Sequence, residues 1–406
     1  MLRKCFLAGL LMVLALCAAL LCGCADEDDD DDEQDSSEVQ DLLDEGRYWL
    51  IAGIPVRASE AYGEALNLDP ENPEAHYGAM TAASMKLMGL ISLVTVFLAD
   101  PETDIEALDV DPNRDMFRKI ILLLTDDMID PCVEEALENA SWLNANGDPV
   151  FLIDSIPVFL FNEVATQLGV EFDGSERVGS EAFANLFGGL SKTLSAIEID
   201  LNLDYIFSIE FGDLEILEII SLIVDLIDRI LNDPGFPDTF RIDPDRMDAF
   251  VQARFHSGLG FLGLMQTVAK IQSETDPQGD DVLGYQDQNG NGLYDPDEPI
   301  VIPGIGPLDE EGMDIMLGIL LMGSDLGAAF LDRTDLDVHP DLEDPFHLST
   351  LNTLLAAFGI PPVIPDGLTV DIASFYENVH PDTLRDFLRT LVDTLRPFLP
   401  EPPDVF

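Results

Sequence analysis

Acidic side chains dominate the charge of this chain and restrict how it can fold. Aspartate and glutamate number 79 against 19 lysine and arginine residues, so the formal net charge is −60. Most carboxylates therefore lack a basic partner and must remain in contact with water. Because 47% of the 406 residues are hydrophobic, the chain still has enough apolar surface to build a core. We expect a folded protein that is repelled by nucleic acids and by anionic lipid, which excludes nucleic acid as a partner.

The first 24 residues have the layout of an export signal. Arg3 and Lys4 precede an apolar run from Cys5 to Leu21, and acidic residues begin at Asp26. The run has 17 residues, and no basic cluster follows it. A transmembrane helix needs about 20 apolar residues. Cleavage of the signal is therefore favoured over permanent insertion.

The end of the signal, Leu21-Cys22-Gly23-Cys24, resembles the lipobox of bacterial lipoproteins. The resemblance implies that residues 1–23 are removed and that the Cys24 sulfur is acylated, with palmitate-type chains anchoring the protein in the cell envelope. Ala25 follows the cysteine where an aspartate would imply retention, so the resemblance favours the outer membrane, on either face. The alternative is ordinary cleavage after Ala25, which would leave the protein without an anchor.

Residues 24–39 predict an acidic tether between the anchor and the folded part. Eight consecutive acids run from Asp26 to Glu33. Such a run repels itself and cannot be buried, so we expect an extended segment. The tether would hold the folded part away from a lipid surface.

Cysteine use indicates that stability comes from core burial and not from disulfides. Once Cys24 is acylated, Cys132 is the only thiol left after the signal, so an intrachain disulfide cannot form. The adjacent acids Glu134 and Glu135 disfavour a thiolate at Cys132. We expect this side chain to pack in the core.

Residues 40–100 predict a helical hairpin followed by a third helix. Seven positions resemble the pattern of a tetratricopeptide repeat: Leu42, Gly46, Trp49, Ala58, Tyr62, Ala65 and Pro70. The resemblance implies two antiparallel helices that approach through small residues and contribute to protein binding. Glu45 departs from the pattern, which usually has leucine there, and no second repeat is visible. A single repeat cannot bury its own face, so it must pack on the rest of the chain.

Residues 101–406 predict a larger, irregular helical domain, and the expected fold class is mainly α. Helical spacing occurs at 114–128, 133–144, 181–197, 214–231, 246–271, 313–331, 348–358 and 383–398. Strand signals are weak, at 150–153, 157–161 and 201–209. The third helix, 73–99, is apolar on nearly every face. Because Lys86 interrupts it, we favour burial in the protein over a membrane span.

Residues 287–298 match the twelve-residue calcium loop D-x-[DN]-x-[DN]-G-x5-E. The match resembles a single EF-hand loop and implies these ligands: Asp287, Asn289, Asn291, the Leu293 carbonyl, Asp295 and Glu298. Pro296 can open an exiting helix, but Pro299 and the following residues to Pro303 limit that helix to a single turn. The loop thus resembles the isolated calcium loops of bacterial surface proteins more than a paired EF-hand sensor. We expect a Kd for calcium of roughly 10⁻⁴ to 10⁻³ M and a structural role.

Catalytic motifs are not recognisable in the sequence, and we predict that the chain is not an enzyme. The histidines have no paired metal-binding spacing: His76, His256, His339, His347 and His380. Gly258 to Gly263 match G-x-G-x-x-G, but they lie in a helical pattern. Close packing of helices explains these glycines better than a dinucleotide site does.

The sequence therefore favours a lipid-anchored scaffold that binds a protein partner through the repeat-like hairpin. The alternative is an envelope carrier for a lipid or another apolar ligand. Helix 214–231 would suit either, because a filled core and the wall of a cavity produce the same amphipathic pattern. An envelope hydrolase is a third, weaker interpretation, since nothing selects an acid–base pair.

Overall fold

The computed structural model confirms a mainly α fold for the part of the chain that it describes. The described residues are 34–99, 118, 121–147, 150–160, 163–198, 216–233, 239–273, 284–286, 288, 293–295, 298–302, 306–307, 316, 323, 326–327, 329–331, 346–347, 352, 369–370, 376 and 379–401. The signal, Cys24, residues 24–33 of the tether and the weak strand signal at 201–209 lie outside these residues, as do most of 313–331 and 348–358.

Helices carry most of this structure. They are α1 (Gln34–Ile51), α2 (Pro55–Leu68), α3 (Pro73–Ala99), α4 (Asp130–Asn146), α5 (Gly174–Ala196), α6 (Ile216–Asn232), α7 (Met247–Ile271) and α8 (Thr383–Leu395). A π-helical segment, Leu123–Ile129, leads into α4. Single 3₁₀ turns, Pro244–Arg246 and Arg396–Phe398, precede α7 and follow α8.

The strands are short except in one hairpin. They are β1 (Phe151–Leu160), β2 (Glu163–Phe172), β3 (Ile197–Glu198), β4 (Arg241–Ile242), β5 (Gly284–Tyr285), β6 (Ile300–Ile302), β7 (Gly306–Pro307), β8 (Phe346–His347) and β9 (Thr369–Val370). All the pairings are antiparallel: β1 with β2, β3 with β4, β5 with β6, β6 with β7, and β8 with β9.

Two boundaries differ from the sequence prediction. Helix α1 begins at Gln34, so the extended tether predicted for 24–39 does not include its last six residues. Val39 lies within this helix and packs against the core. Helix α5 begins at Gly174 and not at 181, because Asp173 and Glu176 form a capping box.

The turn between α1 and α2 is fixed by its backbone. The Gly53 amide donates to the Leu50 carbonyl and the Ile54 amide to the Trp49 carbonyl, both at 2.9 Å. This is the Schellman arrangement, in which the residue after the helix adopts a left-handed conformation. Gly53 does so, with φ of 70°, and Pro55 then opens α2.

Tyr62 lies where α1, α2 and α3 meet. Its ring is fully buried, and a Cβ atom built on either Gly46 of α1 or Gly78 of α3 would overlap it. The two glycines therefore provide the space that the ring fills. Helix α3 lies at the centre of this group of three helices, since every residue from Ala75 to Met88 except Lys86 is buried. This agrees with burial of α3 inside the protein.

Helices α5 and α7 pack antiparallel at close range through small residues. Cβ atoms built on Gly260 and Gly263 of α7 would overlap Leu186 and Ala182 of α5. The G-x-G-x-x-G match thus lies inside a continuous helix and serves packing, as expected. One apolar core runs from Leu43 of α1 through these helices to Tyr285 and Ile300 beside the predicted calcium loop.

The β1–β2 hairpin is a departure from the prediction. The weak strand signals at 150–153 and 157–161 belong to β1, but β2 was not predicted. Phe151 pairs with Phe172 at the base of the hairpin, and Tyr77 of α3 stacks on Phe151 with ring centroids 5.6 Å apart. The base of the hairpin is thereby held on α3.

Three acids on the α4 side of the core bind bases from three other elements. Asp126 receives both terminal nitrogens of Arg246, at 2.9 and 2.6 Å. Asp130 binds Lys192 of α5 at 2.5 Å. Glu135 binds Lys86 of α3, also at 2.5 Å, and accepts a hydrogen bond from Ser59 of α2. We call these three contacts the α4 ion pairs.

The seam around Tyr62 can be tested with two glycine substitutions. Gly78→Ala places a Cβ in the ring and should lower the free energy of unfolding by about 1–3 kcal/mol through overpacking. Gly63→Ala is the control, because its Cβ would meet nothing within 4 Å on the same hairpin. It should raise stability by roughly 0.5–1 kcal/mol through lower backbone entropy in the unfolded chain. Urea unfolding of both variants measures the difference; equal effects would contradict the proposed seam.

Asp126→Asn should destabilise the protein at neutral pH and less so in acid. The hydrogen bonds from Arg246 hold the pKa of Asp126 below its ordinary value. A lowered pKa stabilises the fold above the unfolded-state pKa, and the contribution is lost as the pH falls through the folded-state pKa. The substitution should lower the free energy of unfolding by roughly 1 kcal/mol or less at neutral pH, since the Asp126–Arg246 pair is partly exposed. Urea midpoints between about pH 3 and 7 measure it, and the exposed neighbour Asp127→Asn is the control.

Candidate functional site

The repeat-like residues occupy the helical hairpin in two groups. Ala58, Tyr62 and Ala65 are buried on one face of α2, whereas Leu42 and Trp49 are partly buried and pack against the same core from α1. Gly46 completes the seam at Tyr62. Pro70 lies after the end of α2 and is exposed. The hairpin is therefore closed on the side that faces α3.

A cleft lies between α1 and α2 at the end opposite their connecting turn. Its volume is about 360 Å³. It is lined by Glu38, Asp41, Leu42, Glu45, Glu64, Asn67 and Leu68. We call it the hairpin cleft. Glu45, the residue that departs from the repeat pattern, accepts a hydrogen bond from the Trp49 indole nitrogen at 3.0 Å and lines this cleft.

Four carboxylates and two leucines give the hairpin cleft a mixed character. Each of the four acids is exposed, and their combined field favours a cationic group. Leu42 and Leu68 supply apolar surface next to these acids. A lysine or arginine side chain has this combination, with an aliphatic stem and a charged head. The cleft is therefore suited to a basic and partly apolar segment.

The cleft was not predicted from the sequence, although the spacing of its lining residues on each helix is visible there. Glu38, Asp41, Leu42 and Glu45 are spaced three and four residues apart, so they share one face of α1. Glu64, Asn67 and Leu68 repeat this spacing on α2. The spacing within each helix does not reveal how the two helices pair. Their antiparallel register brings the start of α1 beside the end of α2.

The predicted calcium loop is described in part. Asp287, Asn289 and Asn291 lie outside the described residues, whereas Leu293, Asp295 and Glu298 lie within them. Strands β5 and β6 pair at the two ends of the loop, and the Gln286 amide donates to the Pro299 carbonyl at 2.9 Å. After Glu298 the chain enters β6 and not a helix, as expected from Pro299.

Glu298 holds the end of this loop. Its side chain is buried, and its two carboxylate oxygens accept the backbone amides of Gln288 at 2.8 Å and Asp295 at 3.0 Å. These bonds compensate a buried negative charge. Asp295 is half-buried beside it. The Glu298 carboxylate is the kind of hard oxygen donor that calcium prefers, and each of its oxygens retains a lone pair for a cation.

Other groups that could carry chemistry have structural partners. Burial raises the pKa of the Cys132 thiol, as core packing predicts. His76 lies between the Asn139 side chain at 2.7 Å and the Pro70 carbonyl, and it stacks on Trp142. His256 bonds the Asn185 side chain at 2.9 Å.

Two further histidines lie near strand and helix ends. His347 belongs to β8, and His380 precedes α8 in the described chain; His339 lies outside the described residues. Among the residues that the structure describes, no group of three His, Cys, Asp or Glu side chains is arranged to hold a metal ion. Three of the six predicted calcium ligands are not among those residues.

Comparison with known proteins gives no family for this chain. No family model, no curated protein and no solved structure matches it. In the described segments, no helix combines the length and apolar character needed to cross a membrane. The functional assignment therefore depends on the residues of this chain.

Calcium should stabilise the protein through the loop at 287–298. With a Kd of roughly 10⁻⁴ to 10⁻³ M, 10 mM calcium should add about 1.4–2.7 kcal/mol to the free energy of unfolding. Glu298→Gln should abolish this calcium dependence, while Glu138→Gln, an exposed carboxylate on α4, should retain it. Urea unfolding with calcium or with chelator measures the effect.

The loss of calcium dependence is the diagnostic result, because Glu298→Gln also weakens an amide contact and lowers stability without metal. Identical unfolding curves for the unmodified protein with calcium and with chelator would rule out a calcium site coupled to folding.

Proposed function

We propose that this protein is a non-catalytic scaffold of the cell envelope, anchored through lipid on Cys24 and stabilised by calcium in the loop at 287–298. Its α1–α2 hairpin binds a protein partner through the hairpin cleft. The cleft is the observation that carries this proposal. It combines four acids with two leucines on a hairpin whose other face is buried.

The packing of the hairpin supports a binding role. Tyr62 and the two glycines fix α1 and α2 on α3, so the lining of the cleft is held on rigid helices. Lys86, Ser59 and Glu135 tie α2 and α3 to α4 beside this seam. A partner would therefore meet a preformed surface, which lowers the entropic cost of binding.

Charge complementarity indicates the class of partner. The chain carries 79 acids, and the cleft adds a local concentration of four of them beside apolar surface. A basic segment of another protein would approach quickly in this field and would bury its side-chain stems on Leu42 and Leu68. Acidic partners would be repelled.

The carrier alternative depended on helix 214–231 as a cavity wall. In the structure, Leu222, Ile230 and Leu231 of α6 are buried. Helix α8 packs on α6, and the buried Arg385 donates to the Leu231 and Thr239 carbonyls. These contacts favour the interpretation of α6 as a packed amphipathic helix.

Site-specific photo-crosslinking tests the scaffold. A photoreactive residue at Leu68 should cross-link one envelope protein in intact cells, and the same residue at Glu138 on α4 should not. Combining the Leu68 probe with Glu38→Lys and Glu64→Lys should reduce the yield at least about tenfold, because two charge reversals of about 1 kcal/mol each oppose a basic partner.

The two charge-reversal substitutions test whether the cleft is the binding surface. An unchanged cross-link in Glu38→Lys, Glu64→Lys would show that the partner binds elsewhere. No cross-link from Leu68 together with a lipid retained in native mass spectra would favour the carrier instead.

A further inference from the structure

The turn between α1 and α2 exposes several large apolar side chains. Four of them lie between positions 48 and 56: Tyr48 (61% exposed), Ile51 (36%), Ile54 (42%) and Val56 (57%). We call this set the turn patch. It lies at the end of the hairpin opposite the hairpin cleft.

The turn patch is held on a fixed backbone. The Schellman bonds and the left-handed Gly53 close α1, and Pro55 opens α2 directly. Trp49 packs against the core beneath the turn. The four exposed apolar side chains are therefore carried by a well-defined turn and the helix ends beside it.

Charge distinguishes this turn from the rest of the acidic chain. No aspartate or glutamate occurs from Gly46 to Ser59, and Arg47 and Arg57 flank the patch. Arg47 pairs with Glu74 of α3 at 2.7 Å. The Arg57 side chain is 64% exposed, and its partner Glu60 lies one turn away on the same helix. Such a surface pair contributes little stability, so Arg57 can exchange it for another anion, and guanidinium suits a phosphate group well.

The chain before α1 is predicted to space the folded part from lipid, but its length also permits the turn to reach back to the membrane. Residues 24–33 number ten, and an extended residue spans at most about 3.3–3.6 Å, which gives about 33–36 Å. Helix α1 has 18 residues and is about 27 Å long. If Cys24 is anchored, this reach allows the turn to touch the bilayer.

We propose that the turn patch docks on the bilayer that holds the acyl chains of Cys24. Tyr48, Ile51, Ile54 and Val56 enter the headgroup region, and Arg57 binds a lipid phosphate. This inference rests on the proposed lipid anchor. A bilayer is favoured over a protein as occupant, because the anchor keeps it at high effective concentration and the patch combines exposed apolar side chains with Arg57 in a stretch without acids. The docked turn would leave the hairpin cleft facing away from the membrane.

Nitroxide labels on the mature, lipidated protein test the docking. Ile54→Cys, with Val56→Cys as a second site, would carry the label in protein-free phosphatidylcholine vesicles. Leu68→Cys is the control, since it is 52% exposed at the other end of α2. Buried Cys132, whose pKa is raised by burial, should resist the reagent.

The expected result is a severalfold higher ratio of oxygen to nickel-chelate collisions at positions 54 and 56 than at 68. Equal ratios at all three positions would overturn the docking proposal. A label at 54 that becomes shielded only when envelope proteins are added would also overturn it, in favour of a protein occupant.

The anchor is tested separately on the same samples. Mass spectrometry of Cys24 shows whether acyl chains are present. If they are absent, the anchoring part of the proposed function fails. The label ratios, measured with excess vesicles added to unanchored protein that also carries Cys24→Ala to remove that thiol, then show whether the turn patch binds lipid by itself, and equal ratios would refute the docking.

Discussion

A chain with a formal charge of −60 becomes compact only if apolar burial outweighs the repulsion between its carboxylates. The few bases reduce this repulsion where it would be most harmful, between packed elements. Lys86, Lys192 and Arg246 each come from a different element and meet acids along the α4 side of the core. Arg118 adds a similar link to Asp243 at 2.9 Å. Other carboxylates of the described segments, among them Asp127, Glu134 and Glu138, are exposed to water, where salt screens them.

The predictable part of the fold is the part governed by local pattern. Helical spacing located α4, α6, α7 and α8 to within a few residues. In α4 and α7 the buried residues recur with this spacing along the helix. Strand β2 was missed although Val164, Thr166, Leu168, Val170 and Phe172 alternate with mostly polar or small residues. The pairing of β1 with β2 contains two register shifts. The sequence of either strand alone therefore does not predict how the two strands pair.

The candidate sites also differ in how far local sequence pattern predicts them. The calcium loop is one continuous segment of twelve residues, so its spacing predicts the ligand set without knowledge of the fold. The sequence did not show that Glu298 is buried and bridges Gln288 and Asp295, since this depends on the pairing of β5 with β6. The hairpin cleft combines residues from two helices, and its acids appeared only as part of a general excess. Their meeting depends on the antiparallel register that Tyr62 and Gly46 set.

The two ends of the α1–α2 hairpin differ in a way that composition alone would not suggest. Four acids line the cleft at one end, while the turn at the other end has no acid between Gly46 and Ser59. Along α1, Glu38 of the cleft and Ile51 of the turn patch lie about 20 Å apart, while Glu45 and Tyr48 are one helical turn apart. In a strongly acidic chain, this difference gives the hairpin an electrostatic direction, because a basic group is attracted more strongly to the cleft than to the turn. Under the proposed docking, the turn would lie on the lipid, and the cleft would be turned outward, where a basic segment could reach it.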